Sequence, residues 1–243
     1  MKSQFQTVDG HRIEYYQLGQ GQPLFFLHGW GARPVAYSQT IKRLADRFQV
    51  IAPVMLGHGR SDPVPQDYKF HDYAEVVNRF LKKMNPQNPI VVGHSLGGAV
   101  SIYIVGHNSS INKLFLVNSS GLHIERSGSQ WRNLWIRKAL FNLKYPHGWR
   151  QLAYFFLNSA KHFSDLKISA RLTQGLDLEN VLQYIKVPTY LLWGDRDYFF
   201  PVEYAQRFCQ KIPTCHLEII NNQGHDWCLV RPQLFSEVFS KYA

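Results

Sequence analysis

Strand-like apolar runs alternating with segments of helical spacing predict an α/β fold, a mostly parallel central sheet with helices on both faces. Three observations carry this class. Residues 23–27, 90–92, 113–117 and 189–193 form short apolar runs of buried-strand type. Amphipathic helical stretches separate them. The chain has 243 residues, 45% hydrophobic and 18% charged, enough to bury one large core and still carry an insertion.

In chain order, the first part reads as a hairpin leading into a buried strand, with residues 11–17 as one extended run and 23–27 as the next. A helix is expected over 35–47 and a short strand over 48–52, broken at Pro53. Gly57-His58-Gly59-Arg60-Ser61-Asp62-Pro63 is a turn-rich loop. Residues 71–84 place Tyr73, Val76, Val77, Phe80, Leu81 and Met84 on one helical face. The strand at Ile90, a sharp turn, a helix and the strand 113–117 follow. After Gly121 the rhythm changes, and residues 129–185 show helical spacing without a convincing strand. A strand over 189–193, a helix over 202–211, a strand over 216–220 and a helix over 229–242 then complete the chain. This divides it into a core, 1–121 and 186–243, and a helical cap insertion, 122–185, above the C-terminal strand ends.

Net charge is +10, and it is uneven. Residues 122–171 hold nine Lys and Arg against Glu125 and Asp165, a net +7, and the same segment is rich in aromatics. Aromatics lining a pocket with bases facing water is one reading of this block. Docking of an acidic protein is another. Nucleic acid or an anionic membrane is the weakest, because no single helix is uniformly basic. No run is long enough to cross a membrane, and the N-terminal residues lack the apolar stretch of a secretory signal. Cys209, Cys215 and Cys228 are an odd number without metal-ligand spacing, which predicts three reduced packing thiols in a cytosolic protein. No clustered metal ligands, phosphate loop or dinucleotide fingerprint is present in the sequence, so no cofactor is expected.

Gly93-His94-Ser95-Leu96-Gly97 lies between the Ile90 strand and a helical run. A serine at the apex of such a turn takes a strained backbone, and the positions two before and two after it must be small. A serine hydroxyl needs a base, and the base needs an orienting acid. Trp193-Gly194-Asp195-Arg196-Asp197 and Gln223-Gly224-His225-Asp226 each lie just past a predicted strand and supply both. His28, His58 and His94 lie beside the motifs as structural residues that shape loops through hydrogen bonds.

With His28-Gly29-Trp30-Gly31 and Gly57-His58-Gly59-Arg60-Ser61-Asp62, these motifs make the chain resemble the α/β-hydrolases with a helical cap. That resemblance implies Ser95 as nucleophile, His225 as base and then acid, and Asp197 as orienting acid, with Asp195 as the alternative. It also implies an oxyanion hole from the backbone N–H groups of Trp30 and Leu96, whose side chains would be free to vary. Where relatives often carry an acid after Ala-Pro, this chain has Ala52-Pro53-Val54. Trp30, Leu96, the length and the basic cap are similar to the pimeloyl-[acyl-carrier protein] methyl ester esterases of biotin synthesis. By that likeness Arg132, Arg137, Lys138 and Arg150 would hold an acidic acyl carrier protein; Trp131 and Trp135 of the aromatic block are further candidates for binding substrate or partner. A serine carboxylesterase is the activity expected. Thioesterase, lactonase and carbon–carbon bond hydrolase remain open, as does a ligand-binding receptor on the same scaffold.

Overall fold

The computed structural model describes the chain except residues 109, 126, 146, 147, 150–152, 154, 156–162 and 174. Eight strands form one sheet: β1 (Ser3–Val8), β2 (His11–Leu18), β3 (Gln22–Leu27), β4 (Phe48–Pro53), β5 (Ile90–His94), β6 (Lys113–Val117), β7 (Thr189–Gly194) and β8 (Cys215–Ile220). Their order is β1-β2-β4-β3-β5-β6-β7-β8. The β1/β2 and β2/β4 pairs are antiparallel and every other pair is parallel.

Among the described residues the α-helices are α1 (Ser38–Leu44), α2 (Phe70–Met84), α3 (Leu96–Gly106), α4 (Gly128–Asn142), α5 (Phe163–Thr173), α6 (Glu179–Leu182), α7 (Val202–Lys211), α8 (Trp227–Val230) and α9 (Pro232–Ser240). Side chains alternate across β5, so Val91 packs with α2, α3 and α7 while Ile90 and Val92 pack with α1, α8 and α9. The described part of 122–185 contains the helices α4, α5 and α6, all between β6 and β7.

Register decides where the chemistry sits. Leu27 pairs with Gly93, His94 with Val117, Val117 with Leu192, and Gly194 with Ile220. The C-terminal ends of five parallel strands therefore form one edge. The loops opening at His28, Ser95, Asn118, Asp195 and Asn221 all leave from it, as open α/β sheets arrange their sites.

Three expectations are corrected. The hairpin is made by β1 and β2 around Asp9-Gly10, both at positive φ, and β4 separates β2 from β3. The last helix is two helices: Arg231, at φ −127° and ψ 60°, lies before Pro232, which lacks an N–H and bars helical geometry at its predecessor. Cys209 and Cys215 form a disulfide with Cα atoms 5.1 Å apart, because the end of α7 turns straight into β8. Only Cys228 stays a buried free thiol, so the expected cytosolic setting loses its thiol argument. Where relatives often carry an acid, at position 54, this chain has Val54, and Arg60 of the glycine-rich loop pairs with buried Glu14 of β2 at 3.0 Å. Among the described residues no helix is long and apolar enough to cross a membrane.

Candidate active site

Ser95 sits between β5 and α3 at φ 54° and ψ −118°, a conformation non-glycine residues rarely adopt. The strain is held by packing. A Cβ on Gly93 would run into Ser101 and Gly97, and one on Gly97 would meet the carbonyl oxygens of Leu27 and His28. A Cβ on Gly98 would strike Ser119, a third constraint the small-residue spacing had not included. Leu96 is the first residue of α3, so its N–H has no partner within the helix. The 28–31 loop leans on this turn: a Cβ on Gly29 would lie 3.3 Å from Ser95 Cβ.

His225 comes from the loop after β8, and its Nδ1 lies 2.8 Å from Asp197 Oδ2. That bond places the imidazole proton on Nδ1 and leaves Nε2 as the basic nitrogen. Asp197 is 3% exposed and accepts three more bonds: Asn118 Nδ2 at 2.6 Å, Phe199 N–H at 2.8 Å and Phe200 N–H at 3.1 Å. Asp195 instead accepts from Gln223 N–H at 3.2 Å and braces the turn. Asn118, at φ 41°, also accepts from Gly194 N–H and Trp227 Nε1. It was not anticipated; its one signal was a polar residue directly after a buried strand.

Ser95 and His225 line one cavity of about 1330 Å³, together with Trp30 and Leu96. No hydrogen bond joins the serine hydroxyl to His225 in this geometry; such contacts tighten on substrate binding. Trp131, Trp135 and Lys138 line the same cavity, while Arg132 and Arg137 are exposed and lie outside its lining. Arg150 lies outside the described residues. The Trp30 side chain is not free to vary: its Nε1 donates to Leu166 O at 3.1 Å and Ser169 Oγ at 3.0 Å on α5. Its ring also packs on Trp135 and Phe155. The 28–31 loop is thereby tied to α5.

Three histidines brace the edge. His28 Nδ1 donates to Gly29 O and its Nε2 accepts from Met55 N–H. His58 does the same with Leu56 O and Gly31 N–H. Gly29 N–H donates to Tyr37 Oη, Tyr37 donates to His94 Nδ1, and His94 Nε2 donates to His225 O. Burial, reinforced by repulsion from His225, pushes His94 down to about 3, and burial with His58 pushes His28 well below its ordinary range. Both are neutral in the fold and protonate when unfolded. The stabilisation from His94 is complete above the unfolded value near 6.5 and is lost as pH falls toward 3, and that from His28 is lost in the same direction. Urea midpoints are therefore expected to drop steeply between pH 7 and pH 4, and His94→Asn to flatten the slope; an unchanged slope would contradict the assignment.

Asp226 is 2% exposed and lies beside this chain of bonds. Its Oδ2 accepts from Lys138 Nζ at 3.0 Å and Asn142 Nδ2 at 2.7 Å, both on α4. Burial alone would raise its carboxyl, but Lys138, His225 and His94 outweigh that and hold it well below the carboxylate range. Among the described residues His94, His225 and Asp226 form a group with metal-ligand spacing, their ligand atoms within 4.8 Å. Lys138 already supplies Asp226 with a cation, Asp197 holds His225 Nδ1, and both His94 nitrogens are bonded, so the donor set does not fit an ion.

Comparison with known proteins agrees with this architecture. Residues 22–175 match the model of the alpha/beta hydrolase fold family. The 2-hydroxy-6-oxo-6-(2'-aminophenyl)hexa-2,4-dienoic acid hydrolase of Metapseudomonas resinovorans is 27% identical, covering 93% of this chain and 85% of the relative. Among solved structures, the esterase EaEST from Exiguobacterium antarcticum superposes with a TM-score of 0.83 at 25% identity, over 100% of this chain and 99% of the other. A serine hydrolase involved in carbazole degradation, the CarC enzyme, gives 0.87 at 24% identity over 99% and 97%. The chain belongs to the alpha/beta hydrolase fold family.

Proposed function

We propose that the chain is a serine hydrolase that cleaves carboxylic esters through an acyl-enzyme on Ser95. The carrying observation is the Asp197–His225 bond of 2.8 Å beside a strained serine in one cavity. His225 Nε2 takes the serine proton as Oγ attacks the ester carbonyl. The oxyanion faces the N–H groups of Trp30 and Leu96. The carbon–oxygen bond breaks as His225 returns the proton to the leaving alcohol. Water, deprotonated by His225, then adds to the acyl carbon and frees Ser95 and the acid.

In this reading residues 122–185 act as a cap and 1–121 with 186–243 as the core. Trp131, Trp135, Phe155 and Phe199 line the cavity and suit an apolar acyl group. The esterase similarity at 25% identity supports ester cleavage. A p-nitrophenyl ester should give a burst of nitrophenol of about one equivalent per chain. No release would favour a binding protein, and turnover by a protein that a fluorophosphonate does not label on Ser95 would reject the acyl-enzyme. The 27% relative supports a second reading, hydrolysis of a carbon–carbon bond in an oxo-dienoic acid by the same three residues. Bleaching of a dienoate chromophore faster than ester turnover would select it.

The narrower reading, a carrier-protein-bound acyl methyl ester, rests on exposed Arg132 and Arg137 of a helix without acidic residues. Lys138 leaves that group, because its ammonium turns inward to Asp226. Arg132→Glu/Arg137→Glu is expected to cut kcat/KM on a carrier-protein ester at least tenfold at low salt and to spare a small ester. Equal loss on both would place the damage in the pocket.

A further inference from the structure

One face of α4 grips the loop that carries His225. Lys138 Nζ and Asn142 Nδ2 bind Asp226 Oδ2 at 3.0 and 2.7 Å, one residue beyond the histidine. One turn along, Phe141 covers Gly224, where an added Cβ would lie 2.8 Å from its ring. Three consecutive loop residues, 224 to 226, are thus bracketed by a single helix of the insertion. Lys138 is itself 15% exposed and stacked 4.6 Å over the Trp135 ring and 5.7 Å over Phe199, whose ring packs on His225.

From this geometry we propose that Lys138 and Asn142, acting through Asp226, are positioning residues for His225: α4 must be seated for the imidazole to be held and for its surroundings to stay electrically balanced. The proposal rests on His225 being the base. It joins cap and catalytic histidine through an internal ion pair, where a cap that only covers substrate would need no such bond.

The balance makes the claim testable. Among the described residues, the charged and titratable groups facing His225 are Asp197 from the β7–α7 loop, His94 from β5 and Asp226 from its own loop, and Lys138 from α4 stands behind Asp226. His94 is neutral, and Lys138 cancels Asp226. Removing Lys138 leaves the Asp226 carboxylate, within 4.8 Å of a His225 ring nitrogen, without its cation, and removing Asp226 leaves the Lys138 ammonium without the carboxylate it meets at 3.0 Å.

The test follows the rate of Ser95 labelling by a fluorophosphonate against pH, with melting curves, for the full chain and four variants. Lys138→Met leaves the carboxylate alone, which favours imidazolium, so the acid limb should move up by roughly one pH unit and labelling at neutral pH should slow. Asp226→Asn leaves the ammonium alone, so the limb should move down. The double variant should return the limb to its original place. Asn142→Ala, which changes no charge, should slow labelling at least fivefold without moving the limb, and this arm remains readable if a single charge variant fails to fold. Limbs that stay fixed or move the same way, or an Asn142→Ala protein labelled at the full rate, would overturn the proposal. If the unaltered protein is not labelled at Ser95 at all, it is the hydrolase reading that fails.

Discussion

Ser95→Ala is expected to lower kcat on an activated ester by on the order of 10⁴- to 10⁶-fold while the protein keeps its fold. The size follows from covalency: without Oγ no acyl-enzyme forms, and only water held near the backbone N–H groups of Trp30 and Leu96 remains to react. The fold should persist because the turn is held by other atoms. Ser95 N–H donates to Val117 O, its carbonyl receives Gly98 N–H, and Gly93 and Gly97 supply the space. Matched far-UV spectra and melting curves, alongside turnover of a p-nitrophenyl ester, separate the two quantities. Turnover within tenfold of the unaltered protein would remove the nucleophile from the account.

Asp197→Asn is expected to cost about 10⁴-fold in kcat, nearly as much, without touching the serine. Oδ1 accepts the Phe199 and Phe200 N–H groups, so an asparagine keeps its carbonyl oxygen on that side. Its NH₂ then faces Asn118 Nδ2 and His225 Nδ1, donor against donor. The imidazole escapes by moving its proton to Nε2, and the lone pair aimed at Ser95 is lost. Asp195→Asn, two residues away, is expected to leave kcat within a few-fold, since among the described residues that side chain takes only Gln223 N–H, in the turn. Comparable losses in both variants would mean that the 195–197 turn, and not one carboxylate, is what the reaction needs.

The parts of this site that were legible in the sequence are local. Short apolar runs gave the strands, and glycines flanking a serine gave the strained turn. The order Ser95, Asp197, His225 was readable because each sits just past such a run. What stayed hidden are pairs made between distant segments, which leave no period in the chain. Asn118 reaches Asp197 across 79 positions, and Asn142 reaches Asp226 across 84. Lys138 counted as one surface base among nine because its inward turn depends on where α4 lies relative to β8. Trp30 was read through its backbone alone, although its indole N–H binds α5. The disulfide was closer to hand. With a helix read to residue 211 and a strand from 216, cysteines at 209 and 215 face one another across a single turn.

On the proposed reading, residues 122–185 would be more than cover. Trp30 ties the 28–31 loop to α5, while Lys138 and Asn142 tie the His225 loop to α4. Both halves of the proposed site are thus braced from the same side, so substitutions in α4 and α5 are expected to affect the chemical step as well as substrate choice.

Mass analysis of the protein quenched during turnover of a slow ester, followed by peptide mapping, bears most directly on the chemistry. A single acyl group on Ser95, present during turnover and gone when the ester is exhausted, is the predicted result. Turnover with no acyl adduct, or with the adduct on another side chain, would contradict it.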